Sequence, residues 1–189
     1  LHQDYKLIKP KYHCVPQLTY TDKFTKGVAI EWFREMDEGL MDAELFLSYQ
    51  EYELVKTNNL FPNRKVNFLY MNKDFTDTQS DIINLNTIIP RVQSVPIMCL
   101  IIAMYMGFKK IYLIGTEHDS FIKKEYKYFY KQSLIDDKVA YVDSNGAIGC
   151  LYYELLSNAQ LWYQYRIIKQ IALNNNIEIY NATIGGALD

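Results

Sequence analysis

Cysteine and histidine are both scarce in this chain, with three of each in 189 residues. Cys14, Cys99 and Cys150 are odd in number and far apart, and no CxxC pair or Cys/His ligand spacing links them. That argues against a zinc site and fits a reducing, cytoplasmic compartment. Cys99 sits in an apolar helical run and reads as core rather than nucleophile. The glycine signatures of nucleotide sites are also missing: there is no GxGxxG, no P-loop and no GxSxG. Excess charge of one sign is absent as well. A net charge of -2 and a pI near 6.0, with no basic stripe carrying interleaved aromatics, give no sign of a nucleic-acid partner. The longest apolar run, 95–106, is too short to span a bilayer, which leaves peripheral membrane contact as the only membrane role expected. No signal peptide opens the chain, and it starts at Leu1 rather than Met. A trimmed chain is expected, lacking an N-terminal strand and its glycine-rich loop.

What is present is apolar and aromatic. Apolar residues make up 49% of the chain, enough for a sizeable core, and the length predicts one domain over 1–189. Seventeen tyrosines are a heavy load. Some would pack with satisfied hydroxyls, and others could line a sugar or base pocket.

Hydrophobic spacing predicts strands at 12–18 (broken at Pro16), 43–48, 66–71, 111–114 and 177–180. Helices are predicted at 25–36, 94–106 and 151–173, with 52–59 as a helical turn or a loop. Residues 72–91 and 116–149 read as long polar connections, the second with a short helix. The helix after Ser94 is apolar on every face, so it should be covered on both sides, and Gly107 should stop it. On the helix at 151–173, Leu155, Trp162, Tyr165, Ile168 and Ala172 fall near one face. Alternation of strands and helices predicts an α/β fold with a mostly parallel sheet and helices on both faces.

In such a sheet, ligands bind beyond the carboxyl ends of the strands. The strand at 111–114 ends in Gly115, Thr116, Glu117, His118 and Asp119. This cluster has three readings. His118 could be a base with a carboxylate fixing its tautomer. Glu117 and Asp119 could hold Mg²⁺ or Mn²⁺ on a nucleotide diphosphate. Or the residues could cap a turn and face water. Ser94, at a helix N-terminus, is placed to offer N–H groups to a phosphate or simply to cap the helix. Tyr126, Tyr128 and Tyr130 could donate to a leaving phosphate or pack the connection onto the core. Asn181 and Thr183 follow the last strand, again at a carboxyl end, and Gly185 and Gly186 point to a tight turn or a close backbone approach.

The stretch SVPIMCLIIAMYMGFKKIYLIGTEHD and the ending IEIYNATIGGALD resemble a known group. They are similar to the Rossmann-like bacterial surface-polysaccharide proteins grouped with the motility-associated-factor glycosyltransferases, whose distant members include archaeal hydroxymethylpterin pyrophosphokinases. The first stretch also resembles the small bacterial sialyltransferases that use CMP-sialic acid, and KPKYHCVPQLTYTDKF is a weaker match to the same group. The resemblance implies a Rossmann-like fold and a nucleotide-sugar-dependent glycosyltransferase that builds cell-surface glycans. The nucleotide sugar and a glycan acceptor would be its partners, at the inner face of the membrane, with no cofactor required and metal only through Glu117 and Asp119. It places Ser94 at the nucleotide and Tyr126, Tyr128 and Tyr130 at the leaving phosphate; by their strand-end positions Gly115 and Thr116 are expected beside the nucleotide, and Asn181 and Thr183 toward substrate. The sialyltransferase histidine would fall near 143–149, where this chain has none, leaving His118 or Glu117 to deprotonate the acceptor; His2 and His13 lie near the start. The missing histidine and glycine loop keep two alternatives in view: a non-catalytic glycan- or partner-binding domain of the same fold, and a pterin pyrophosphokinase-like enzyme.

Overall fold

The computed structural model describes residues 5–119 and 151–188. These fall into two compact units, Leu1–Asp74 with Asn84–Met98, and Phe75–Ile83 with Cys99–Asp189.

The first unit is built on a parallel ladder. After a one-turn helix α1 (Tyr5–Ile8) come β1 (Tyr12–Val15), α2 (Lys26–Gly39), β2 (Glu44–Ser48), a 3₁₀ turn (Tyr49–Glu51), α3 (Tyr52–Thr57) and β3 (Val66–Leu69). The strands order as β1-β2-β3, all parallel, with Tyr12 opposite Glu44 and Leu45 opposite Val66. Central β2 is buried from Leu45 to Ser48, as a strand covered on both faces should be. Against it pack Phe33, Met36 and Leu40 from α2 and its C-terminus, Val55 from α3, and Leu60 and Phe61 beyond it. Thr25 starts α2 by accepting a hydrogen bond from the Val28 N–H at its side-chain oxygen. The turn between α2 and β2 is pinned by Arg64, whose guanidinium donates to Asp37 Oδ1 at 2.9 Å and to the carbonyls of Asp37, Met41 and Ala43.

The strand expected over 12–18 stops at Val15, because Pro16 has no N–H to continue a ladder. The strand expected over 66–71 divides after Leu69. Met71–Lys73 forms β4, which pairs parallel with β5 (Ile89–Pro90). The polar connection 72–91 therefore carries a short ladder of its own, anchored by fully buried Ile89. Ile82, Ile83, Leu85, Ile88 and Val92 lie near it in the sequence, but a two-residue strand is too short to show an alternating pattern. Of the segment 52–59, Tyr52–Thr57 is helix and the last two residues are a turn.

α4 (Val95–Tyr105) begins in the first unit and ends in the second. Ile97, Met98, Leu100, Ile101, Ile102 and Met104 are all buried, as its unbroken apolar sequence requires. Gly107 ends it at φ +86, with Gly107 N–H donating to Met104 and Phe108 N–H to Ala103. These are the two bonds of a glycine-stopped helix end.

In the second unit, β6 (Lys110–Leu113) leads through the connection to α5 (Leu151–Asn174) and then to β7 (Glu178–Asn181), which pairs parallel with β6. On α5 the buried positions are Leu161, Ile167, Ile168, Ile171 and Ala172. Leu155, expected on that face, is exposed. Tyr163 and Arg166 reach the 75–83 segment: the tyrosine hydroxyl donates to Phe75 O, and the guanidinium pairs with Asp77 at 2.6 Å. Asn175 donates to Ser80 O just past the helix end. The short helix expected in the connection lies outside the described residues. Helices joined to parallel strands place the chain in the α/β class, and among the described residues the strands form three small ladders. Among the described residues, no helix is long and apolar enough to cross a membrane.

Candidate functional site

The carboxyl ends of β6 and β7 lie side by side, because Leu113 and Asn181 are partners at the end of the ladder. The two polar segments that leave them, 115–119 and 181–188, are therefore brought together. Gly115 turns the chain at φ +71. Thr116, buried, then engages the other segment three ways. Its N–H donates to Thr183 Oγ1 at 3.1 Å, its hydroxyl donates to Asn181 Oδ1 at 3.3 Å, and the two threonine hydroxyls lie 3.2 Å apart. Asn181 Oδ1 also accepts from Thr183 N–H at 3.0 Å, and its amide donates to Leu188 O at 2.7 Å.

The Gly185–Gly186 turn then closes on Glu117. Ala187 N–H donates to Glu117 O at 2.7 Å. A Cβ on Gly186 would sit 2.7 Å from both Glu117 Cα and Glu117 O, and Gly186 has φ +100. Both facts demand glycine at that position.

His118 emerges from this clamp in the left-handed region, at φ +47. That conformation is costly for a residue with a Cβ and persists only where the surroundings impose it. Its Nε2 lies 2.8 Å from the Tyr165 hydroxyl on α5, and its ring meets Trp162 edge-on with centroids 6.3 Å apart. Burial lowers the imidazole pKa below its ordinary 6.5, while the Glu117 and Asp119 carboxylates oppose the shift. Burial thus works against the imidazolium, and the two neighbouring acids work for it. Asp119 is buried as well.

The structure thus unites five of the expected residues, Thr116, Glu117, His118, Asn181 and Thr183, with Gly115 and Asp119 flanking them. The hydrogen bonds of Asn181 and Thr183 go to Thr116 and to their own turn, so they build the clamp. Ser94 belongs to the first unit. Its carbonyl accepts from Met98 N–H, which starts α4, but its hydroxyl is buried without a hydrogen-bond partner among the described residues. The side-chain cap expected of Ser94 is therefore not made. Tyr126, Tyr128 and Tyr130, together with 143–149, lie outside the described residues. Among the described residues, no three His, Cys, Asp or Glu side chains gather in a metal-holding group.

Two features escaped the sequence reading. Tyr165 and Trp162 appeared only as members of an apolar helix face; a clue lay in their polar-tipped rings, three residues apart on one side of α5. In the first unit, Glu51 follows the carboxyl end of β2, fully buried, and accepts the Tyr20 hydroxyl at Oε2. Burial and that carboxylate raise the Tyr20 pKa strongly. Comparison of the chain with protein-family models, with characterised proteins and with solved structures gives no match.

Proposed function

We propose that this protein is a glycosyltransferase of Rossmann-like fold that uses a nucleotide-activated sugar to build a bacterial cell-surface glycan at the inner face of the membrane. One observation carries the reading. A half-buried histidine, held by a tyrosine and flanked by two carboxylates, stands at the carboxyl ends of paired parallel strands. That is where α/β sheets place their ligands. The resemblance of 94–119 to nucleotide-sugar transferases supplies the substrate class.

In the proposed reaction, the acceptor hydroxyl oxygen forms a bond to the anomeric carbon of the donor. The bond from that carbon to the phosphate oxygen breaks, and its electron pair leaves with the nucleotide. His118 takes the hydroxyl proton, and Glu117 and Asp119 stabilise the imidazolium that results. A second reading, a glycan-binding module without catalysis, draws on Asn181 and Thr183, whose hydrogen bonds are spent inside the protein rather than offered to substrate.

Calorimetric titration with CMP, UDP and GDP, with and without EDTA, separates the outcomes. Binding of one nucleotide is expected. Failure of all three to bind would sink the transferase reading. Binding lost to EDTA would give Glu117 and Asp119 a metal-holding role, and transfer activity surviving in His118→Ala would remove the base. The same titration on Ser94→Ala tests the phosphate role that the resemblance gives to Ser94.

A further inference from the structure

A neutral imidazole carries one N–H and one bare nitrogen, and the hydrogen bond at one nitrogen decides which is which. In His118 the nitrogen already engaged is Nε2, 2.8 Å from Tyr165 Oη. That distance fits N–H donating to the hydroxyl or the hydroxyl donating to a bare nitrogen. The two arrangements have opposite chemical consequences. If Tyr165 donates, the only other nitrogen carries a proton and His118 has no atom left to act as a base. If His118 donates, Nδ1 is bare. Among the described residues, Nδ1 has no hydrogen-bond partner.

We propose that Tyr165 is a positioning residue that accepts the Nε2–H of His118, fixing the tautomer in which Nδ1 is the atom that takes up a proton. This rests on the base role proposed for His118. The proton from the acceptor hydroxyl goes to Nδ1, giving an imidazolium with both nitrogens protonated, and the Nε2–H stays on Tyr165 throughout. Nothing else has to move. The ring plane is held by Trp162 on one side. The backbone is held by the neighbouring Ala187 to Glu117 hydrogen bond and by the contact of Gly186 with Glu117. A ring fixed at both backbone and Nε2 presents Nδ1 in one direction, which is what a base needs in order to meet a substrate hydroxyl at hydrogen-bond range.

The test reads the tautomer directly, without substrate. The full chain is labelled with ¹⁵N-histidine, and long-range proton–nitrogen correlation spectra are recorded at a pH where the ring is neutral. His118→Gln assigns the His118 signals among the three histidines. The expected spectrum has His118 protonated at Nε2 and bare at Nδ1. Tyr165→Phe should convert it to a mixture of both tautomers, with the melting temperature little changed. A wild-type ring protonated at Nδ1 overturns the proposal, and so does a tautomer unmoved in Tyr165→Phe. If Tyr165→Phe does not fold, Tyr165→Leu, which also removes the hydroxyl, is read in its place with the same two outcomes. Failure of nucleotides to bind would remove the transferase reading and leave this tautomer result standing, so the two failures are told apart.

Discussion

A methyl group at residue 186 would have to occupy space held by the backbone of Glu117, 2.7 Å away. Gly185, its neighbour, also has a positive φ, but nothing lies within 4 Å of the Cβ it lacks. The pair therefore separates two costs. Gly185→Ala should lose only the backbone term, about 1 kcal/mol. Gly186→Ala carries that term plus a clash with main chain and should lose about 2–4 kcal/mol. Urea unfolding of the two variants measures the difference, and equal losses would mean that the close approach to Glu117 does not exist in solution. The Gly-Gly pair could be seen in the sequence as a turn or a close approach. Which glycine made the approach, and to what, could not, because Glu117 is distant in the chain.

Arg64 does at the level of elements what Gly186 does at the level of a residue. Its planar fork joins Asp37 in α2 to the carbonyls of Met41 and Ala43 ahead of β2, from a position just before β3. Only 12% of its side chain is exposed. Lysine keeps the charge but cannot reach those acceptors at once. Arg64→Lys should therefore lose about 2 kcal/mol, read by chemical denaturation, since the half-buried carbonyls of Asp37 and Ala43 are left without donors. A variant as stable as the parent would show that the fork is not needed. The elements that Arg64 ties were largely visible beforehand. The spacing of Val28, Ile30, Trp32 and Phe33 marked α2, although the face it buries is Ala29, Phe33 and Met36, and the run Leu45–Phe46–Leu47 marked β2, because burial in a central strand leaves a continuous apolar signature. β4 and β5 left none, since strands of three and two residues are too short to show a period and their pairing joins residues seventeen and eighteen apart. Tyr165 was hidden for a related reason: an aromatic that packs with its ring and bonds with its hydroxyl looks like core from its position alone.

For the molecule as a whole, proton uptake is the property that sums over both units. His13 in the first unit and His118 in the second have pKa values lowered by burial. Each binds its proton more readily in the unfolded chain, so the unfolded state holds more protons just below pH 6.5 and stability rises with pH through that window. Acidification from pH 7 to pH 5 should therefore destabilise the protein. His13→Gln and His118→Gln should each flatten the slope of unfolding free energy against pH, as measured by urea titration at a series of pH values. A profile that is no flatter in either variant would mean that the two rings are not buried as described. No composition or spacing argument reaches this result, because the sign of a histidine shift depends on what surrounds the ring.

The clamp at the strand ends also sets an order of events in time. Thr116 and Thr183 are 67 residues apart in the chain, and closing so large a loop is a late step in folding. During synthesis, Tyr165 leaves the ribosome before Asn181, Thr183 and Ala187. The imidazole can thus meet its tyrosine partner while the loop that bears it is still unfastened. The clamp closes only when residues 181–188 have emerged, so a nascent chain stalled before them would carry every acid and base of the cluster without the bonds from Asn181, Thr183 and Ala187 that fix its geometry.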